Sequence, residues 1–131
     1  MRLVAIVLVV ALFAACASAA GTEPVIGVAE RAKVGTVLVA DGMTVYRYTK
    51  DRPGETTCYG YCAEDWPPIL VTRVPEPSAS LPGRFATVRR ADGTEQLMYN
   101  DVPLYLYIED APGTDQTNGD GVDGEWYVVH P

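Results

Sequence analysis

Two cysteines, Cys58 and Cys62, carry the most reactive side chains of this 131-residue sequence. A thioredoxin-type redox pair has one residue fewer between its cysteines, and a c-type haem site needs a histidine where Ala63 stands. The remaining cysteine, Cys16, lies in the N-terminal apolar region, so no further ligands remain for a thiolate zinc site. The spacing therefore favours a structural disulfide, with a redox or metal-handling role in electron transfer as the alternative.

Two aspartates, Asp51 and Asp110, stand in the same context and could form an acid–base pair if the fold brought them together. Each follows a tyrosine-rich segment and precedes a Pro-Gly dipeptide. An aspartate at such a place typically accepts hydrogen bonds from the backbone of its own turn. The sequence therefore predicts a structural role for both carboxylates, each within its own turn.

Two further groups of side chains could bind metals. The acidic segment Gly113–Glu125 offers oxygens for calcium, but its spacing differs from that of an EF-hand loop, and a solvated turn is the default interpretation. Met43, Met98 and His130 could serve as copper ligands, yet they lie far apart in the sequence. With one histidine and three serines, the chain offers few nucleophile–base combinations. We therefore predict a protein without catalytic residues, metal or cofactor, which is not an enzyme.

The chain contains an internal repeat. The segment Tyr46–Gly54 returns 59 positions later as Tyr105–Gly113, with Tyr, Tyr, Asp, Pro and Gly at matching places. Trp66 and Trp126 are related by a spacing of 60. Such self-similarity indicates one supersecondary unit used twice. We expect both indoles to lie in a shared core, although exposed tryptophans could instead stack on sugars.

The local patterns of both copies are those of β-structure. Asp41-Gly42 and Asp92-Gly93 each separate two apolar segments, which is typical of hairpins. Further strands are predicted at Leu104–Ile108 and Trp126–Val129. After residue 33 no segment shows a sustained helical period. The predicted fold is all-β, with two related antiparallel β units forming a small sandwich or a partly closed barrel.

The N-terminal region has the pattern of an export signal. Residues 1–15 contain an early arginine and an apolar run too short to span a bilayer, which is typical of a signal peptide. Cys16 follows directly, as in lipoproteins cut before an acylated cysteine, and ordinary cleavage after Ala19 is the alternative. The predicted organisation has a lipidated tether at 16–33 and one β domain at 34–131. Its two repeats, 34–73 and 85–131, are joined by a Pro-rich linker at 74–84.

Together these motifs resemble a known family. The tyrosine–aspartate signature occurs as Tyr46-x-Tyr48-x-x-Asp51 and as Tyr105-x-Tyr107-x-x-Asp110. With Cys58–Pro68 and Asn118–Gly121, the sequence resembles the bacterial predicted lipoproteins with a conserved Yx(FWY)xxD motif, also described as a secreted repeat of unknown function. The resemblance implies export, lipidation and a repeated β unit. It implies no catalytic residues, and the signature side chains, with Trp66 and Trp126, are expected to be structural.

The charge balance narrows the class of partner. The formal net charge of −7 disfavours nucleic acid, because an acidic chain repels the phosphate backbone. We predict an exported protein attached to the cell membrane through a lipid on Cys16, or otherwise secreted or periplasmic. Its predicted function is non-enzymatic binding of an envelope partner or ligand. The alternative is the redox or metal-handling role of the Cys58–Cys62 region.

Overall fold

The computed structural model describes residues 21–131. The predicted signal peptide at 1–15 and the lipidation of Cys16 lie outside these residues. Within the described range, no helix has the length and apolarity needed to cross a bilayer.

The described chain is built mainly of short strands in three antiparallel sheets. The strands are β1 (Ile26–Arg31), β2 (Gly35–Ala40), β3 (Met43–Thr44), β4 (Tyr46–Tyr48), β5 (Phe85–Arg89), β6 (Glu95–Tyr99), β7 (Val102–Pro103) and β8 (Trp126–Val128). One helical turn, α1 (Tyr61–Asp65), and one 3₁₀ turn, Val122–Gly124, complete the elements of the described residues. The fold is therefore a small all-β fold, and its sheets do not join into a closed barrel.

Two of the sheets repeat one another. Strands β1, β2 and β3 form one meander, and strands β5, β6 and β7 form the other. The register agrees position by position, since Ile26 faces Ala40 in the first sheet and Phe85 faces Tyr99 in the second. The predicted duplication of a β unit is therefore present in three dimensions.

The turns of the two units are also equivalent. Asp41 and Gly42 have φ angles of 50° and 79°, and Asn100 and Asp101 have φ angles of 50° and 64°. Positive φ at both central residues is the geometry of the tight turn whose twist matches that of a hairpin. Asn and Asp tolerate this conformation better than other side chains, so the second copy forms the turn without glycine.

The prediction of a tether at 16–33 is wrong for Ile26–Arg31, which forms β1. This strand pairs along its whole length with β2. Gly27 in this strand lies against Ser78, where a Cβ atom would come within 2.6 Å of the hydroxyl oxygen. The turn between β1 and β2, at residues 32–34, lacks the Asp-Gly pair of the other hairpins, so the local pattern did not reveal the strand. The first repeat therefore begins before residue 34.

The prediction of a strand at Leu104–Ile108 is only partly correct. Strand β7 ends at Pro103, and Tyr105 makes isolated bridges with Tyr46 and Pro68. Leu106 and Ile108 donate their N–H groups to irregular chain, at the carbonyls of Pro67 and Asp65. A ladder cannot continue there because the facing prolines have no N–H to donate. Ile108 is 60% exposed, so the segment is not buried along its whole length.

The two repeats are interlocked in the core. In the first sheet, Leu38 donates its N–H to the carbonyl of Val129, from the end of the second repeat. In the second sheet, Leu97 donates in the same way to Ile69, from the first repeat. Strand β4 of the first repeat likewise pairs with β8 of the second. Each repeat thus completes the sheet of the other, and one shared core results.

Candidate functional site: the signature residues between the repeats

The centre of the molecule is a pair of tyrosine backbones. The N–H of Tyr46 donates to the carbonyl of Tyr105 at 2.8 Å, and the reverse bond is 2.9 Å. Both residues have no exposed surface. Because equivalent positions of the two repeats meet here, an approximate two-fold axis passes between them.

The signature tyrosines and aspartates bond across the repeats. Tyr46 donates its hydroxyl proton to Asp110 Oδ2 at 2.5 Å, from the first repeat to the second. Tyr105 donates in the opposite direction to Asp51 Oδ2 at 2.6 Å. This reciprocal pair of bonds, here called the tyrosine–aspartate clasp, was not predicted from the sequence.

The other carboxylate oxygen of each aspartate does make local bonds of the kind expected from the turn sequence. Asp51 Oδ1 accepts from the N–H and the hydroxyl of Thr57, at 2.8 and 2.7 Å. Asp110 Oδ1 accepts from the N–H of Asn118 at 3.0 Å. Each carboxylate therefore holds its own loop with one oxygen and the other repeat with the second. Because their oxygens are used in this way, the two aspartates bond to different tyrosines and not to each other.

Both clasp tyrosines are held in the protonated form. Burial away from water raises the pKa of Tyr46 far above its usual range, and the bond to the Asp110 carboxylate adds to the effect. Burial raises the pKa of Tyr105 in the same way, with Asp51 as the second cause. The clasp hydroxyls therefore act as hydrogen-bond donors rather than as bases.

Four aromatic rings form a continuous stack beside the clasp. The indoles of Trp66 and Trp126 lie 3.9 Å apart at an interplanar angle of 1°. Tyr107 stacks on the outer face of Trp66 at 4.0 Å, and Tyr48 on that of Trp126 at 4.2 Å. Both indoles are buried, so their faces are used in the interior and not for stacking on sugars. The stack follows the same approximate two-fold symmetry as the clasp.

A glycine makes room for this arrangement. A Cβ atom on Gly119 would lie 2.8 Å from the rings of Trp66 and Tyr46. The Gly119 N–H also donates to the Tyr46 hydroxyl oxygen at 3.3 Å. The Asn118-Gly119 dipeptide therefore serves close packing as well as turn formation.

The disulfide loop occupies, in the first repeat, the position that the Asn118-Gly119 turn occupies in the second repeat. Cys58 and Cys62 are bonded, as expected from their spacing, and Cys58 is fully buried. Helix α1 begins within the loop. Tyr61 is 86% exposed and Tyr59 is 40% exposed, so the loop presents two aromatic side chains to solvent.

A buried arginine holds the base of this loop, and the sequence analysis missed it. Arg90 is 5% exposed and donates to the Cys58 carbonyl at 2.7 Å and to Gln96 Oε1 at 2.8 Å. Its guanidinium carbon lies 4.3 Å from the centre of the Tyr59 ring, a cation–π distance. The sequence did contain a signal for it, because Arg31 occupies the equivalent position of the first repeat, 59 residues earlier. Arg31 is also buried.

Arg90 is linked to the clasp through two hydroxyl groups. It donates to Thr56 Oγ1 at 3.1 Å, and that hydroxyl lies 2.7 Å from the Tyr105 hydroxyl. Since Tyr105 donates to Asp51, Thr56 donates to Tyr105. A chain of hydrogen bonds thus connects a buried cation with a carboxylate, and successive bonds of this kind polarise one another.

Three of the side chains considered as possible metal ligands, Asp120, Glu125 and His130, make other contacts. In the acidic segment, Asp120 Oδ1 accepts from the Val128 N–H at 3.0 Å, and Glu125 pairs with Lys50 at 2.7 Å. His130 Nδ1 lies 2.8 Å from the Thr36 carbonyl. Within residues 21–131, no cluster of three or more His, Cys, Asp or Glu side chains has the geometry of a metal site.

Two interlocked β units with a shared aromatic interior define a tandem-repeat all-β protein. The chain belongs to the family described as a secreted repeat of unknown function, whose model matches residues 27–70 and 86–130. The two matches start 59 residues apart, at equivalent places in β1 and β5, and membership makes this an exported protein. Neither a curated protein nor a solved structure matches the chain significantly.

Proposed function

We propose that this chain is a lipid-anchored protein of the cell envelope that acts as a non-enzymatic binding or interaction module. The observation that carries the proposal is the internal use of the signature side chains. The clasp joins Tyr46 to Asp110 and Tyr105 to Asp51, and the indoles stack on each other. Side chains committed to one another in the interior serve architecture, and function is then expected at the surface.

The disulfide loop is the binding surface that we propose. Tyr61 points into solvent from a short helix, while the disulfide and Arg90 hold the base of the loop. A rigid loop loses little entropy on binding, and an exposed tyrosine offers both an apolar ring and a hydroxyl. The partner that fits is an envelope polymer or protein with flat apolar and hydrogen-bonding groups.

Photo-crosslinking in living cells tests this surface. A photoreactive amino acid replacing Tyr61 should give a discrete crosslinked product with an envelope component. The matched control replaces Tyr127, which lies in β8, is half-buried and is outside the loop. Equal crosslinking at both positions would contradict the proposed surface. Turnover of a small substrate that a single substitution abolishes without unfolding the protein would contradict the non-enzymatic role.

The lipid anchor is tested separately by intact mass. Protein extracted from membranes should lack residues 1–15 and carry acyl chains on Cys16, and Cys16→Ser should be released in soluble form. A mature protein that begins after Ala19 without added acyl mass would contradict the anchor. The binding role of the loop would be unaffected by that result.

A redox role of the Cys58–Cys62 region is the second candidate. The disulfide packs in the same cluster as the aromatic stack, whose outer rings, Tyr48 and Tyr107, are partly exposed. In this role, electrons would pass between the disulfide and the surface through the stacked aromatic rings. A reduction potential above about −200 mV would favour this role, whereas a purely structural disulfide should lie below about −300 mV.

A further inference from the structure

The first described residues are firmly attached to the domain. The Glu23 carboxylate accepts from the N–H groups of Thr72 at 2.9 Å and Arg73 at 3.2 Å, and also from the Thr72 hydroxyl. The Thr72 hydroxyl bond is the main cause that lowers the pKa of Glu23. Two residues on, Val25 and Asp41 exchange two hydrogen bonds of 2.9 Å. The chain is therefore attached to the domain from Glu23 onwards, well before residue 33.

This attachment shortens the reach of the lipid anchor. Five peptide units connect Cys16 with Gly21, so their Cα atoms are at most about 18 Å apart. A domain of this size is about 35 Å across. The part of the surface at which the chain leaves the domain must therefore stay close to the bilayer that holds an acylated Cys16.

The surface around this exit carries exposed apolar side chains next to the acidic Glu76 and Glu95. Three of the exposed large apolar side chains of the described residues surround Glu23 and its partners: Val25 is 62% exposed, Leu70 45% and Val74 44%. Leu70 lines a shallow cavity together with Gly21 and Glu23, and Val25 and Val74 line a neighbouring cavity that also contains Glu23. We call this surface, defined by Val25, Leu70 and Val74, the exit face.

We propose that the exit face docks on the lipid bilayer in which the acyl chains of Cys16 are inserted. The inference rests on the proposed lipid anchor and adds an orientation to it. The short tether keeps the face near the lipid, and apolar side chains there enter the boundary between headgroups and acyl chains. The net charge of −7 offers no attraction to anionic lipids, so contact depends on the anchor and the apolar side chains.

Fluorescence quenching on vesicles tests the orientation. The mature, acylated full chain is reconstituted in phosphatidylcholine vesicles that contain a lipid-borne quencher, with an environment-sensitive dye attached at Val74→Cys. The matched control carries the dye at Ile108→Cys, since Ile108 is 60% exposed against 44% for Val74 and lines neither cavity. We expect a blue shift and strong quenching at position 74 and neither at position 108. Adding Val25→Ser and Leu70→Ser to both labelled chains should abolish the difference while near-UV circular dichroism stays unchanged.

The outcomes separate this inference from the anchor. Acyl mass on Cys16 together with equal quenching at positions 74 and 108 would overturn docking alone, because the domain would then move freely on its tether. Absence of acyl mass would overturn the anchor and, with it, the docking. An unchanged difference after the Val25→Ser and Leu70→Ser substitutions would assign the contact to other side chains and also overturn the exit face.

Discussion

Tyr46 and Tyr105 each donate a hydroxyl hydrogen bond to a carboxylate of the other repeat. A hydrogen bond to a charged acceptor is stronger than a neutral one, and its loss leaves a buried acceptor unsatisfied. The signature tyrosines and aspartates therefore stabilise the fold in two ways. It orders two loops locally and it fixes the repeats against each other.

The raised pKa of both clasp tyrosines predicts a loss of stability in alkali. Below the ordinary tyrosine pKa of 10.0, folded and unfolded chains both keep these protons, and the clasp contributes fully. Above it, only the unfolded chain ionises, so each tyrosine lowers the free energy of unfolding by about 1.4 kcal/mol per pH unit. Urea unfolding at a series of alkaline pH values measures the slope. The double variant Tyr46→Phe, Tyr105→Phe should show a shallower slope, and an unchanged slope would contradict the assignment.

Gly119 gives a second prediction at this scale. Gly119→Ala places a methyl group against the rings of Trp66 and Tyr46, and we expect it to destabilise the protein by about 1–3 kcal/mol. Gly21→Ala is the control, because nothing lies within 4 Å of the added atom. Thermal unfolding of both variants measures the difference. Equal melting temperatures would show that the packing at Gly119 is looser than described.

At the scale of elements, the sequence predicted hairpins from their turn residues, but it did not predict which strands pair across the two repeats. Turn residues such as Asp41-Gly42 act locally, so the pattern predicted β2, β5 and β6 well. The strand expected after Gly42 divides into β3 and β4, and β4 pairs with β8 of the other repeat. Strand β1 was missed because its turn to β2, at residues 32–34, lacks the Asp-Gly pair typical of a hairpin. The buried Arg90 depends on contacts with distant chain, which periodicity does not report. The repeat also revealed which residues are equivalent, but it did not reveal that Tyr46 reaches the aspartate of the other copy. A duplicated signature is compatible with bonds within a repeat or between repeats.

The aromatic stack is an element-scale feature with a spectroscopic signature. Two parallel indoles at 3.9 Å should couple strongly and produce an exciton couplet in circular dichroism. Trp66→Phe and Trp126→Phe should each abolish the couplet, because either change removes one partner. Tyr127→Phe should leave it intact, since Tyr127 is outside the stack. A couplet that survives either tryptophan substitution would contradict the stacking.

At the scale of the whole molecule, neither repeat is a complete unit. In the first sheet, the backbone of Leu38 bonds to Val129 of the second repeat. In the second sheet, the backbone of Leu97 bonds to Ile69 of the first repeat. Half of a shared core buries too little apolar surface to offset the loss of chain entropy. One-domain behaviour thus follows from interlocking, and the Pro-rich linker 74–84 adds contacts of its own, since Ser78 donates its N–H to the Ile26 carbonyl and Leu81 packs against the core.

This architecture predicts fragment complementation. Fragments 21–80 and 81–131, separated within the linker, should each lack native near-UV circular dichroism when prepared alone. Mixing them should restore the spectrum, because the intertwined strands can pair without a covalent connection. Independent folding of either fragment would contradict the interlocked core. Failure to recombine under native conditions would point to an essential role of the linker.

The central claim is that the signature residues join the two repeats, and two double-mutant cycles measure it directly. The first combines Tyr46→Phe with Asp110→Ala, and the second combines Tyr46→Phe with Asp51→Ala. The account predicts a coupling free energy of about 1–3 kcal/mol in the first cycle and additivity within about 0.5 kcal/mol in the second. Strong coupling of Tyr46 with Asp51, and none with Asp110, would place the bond within one repeat and contradict the account.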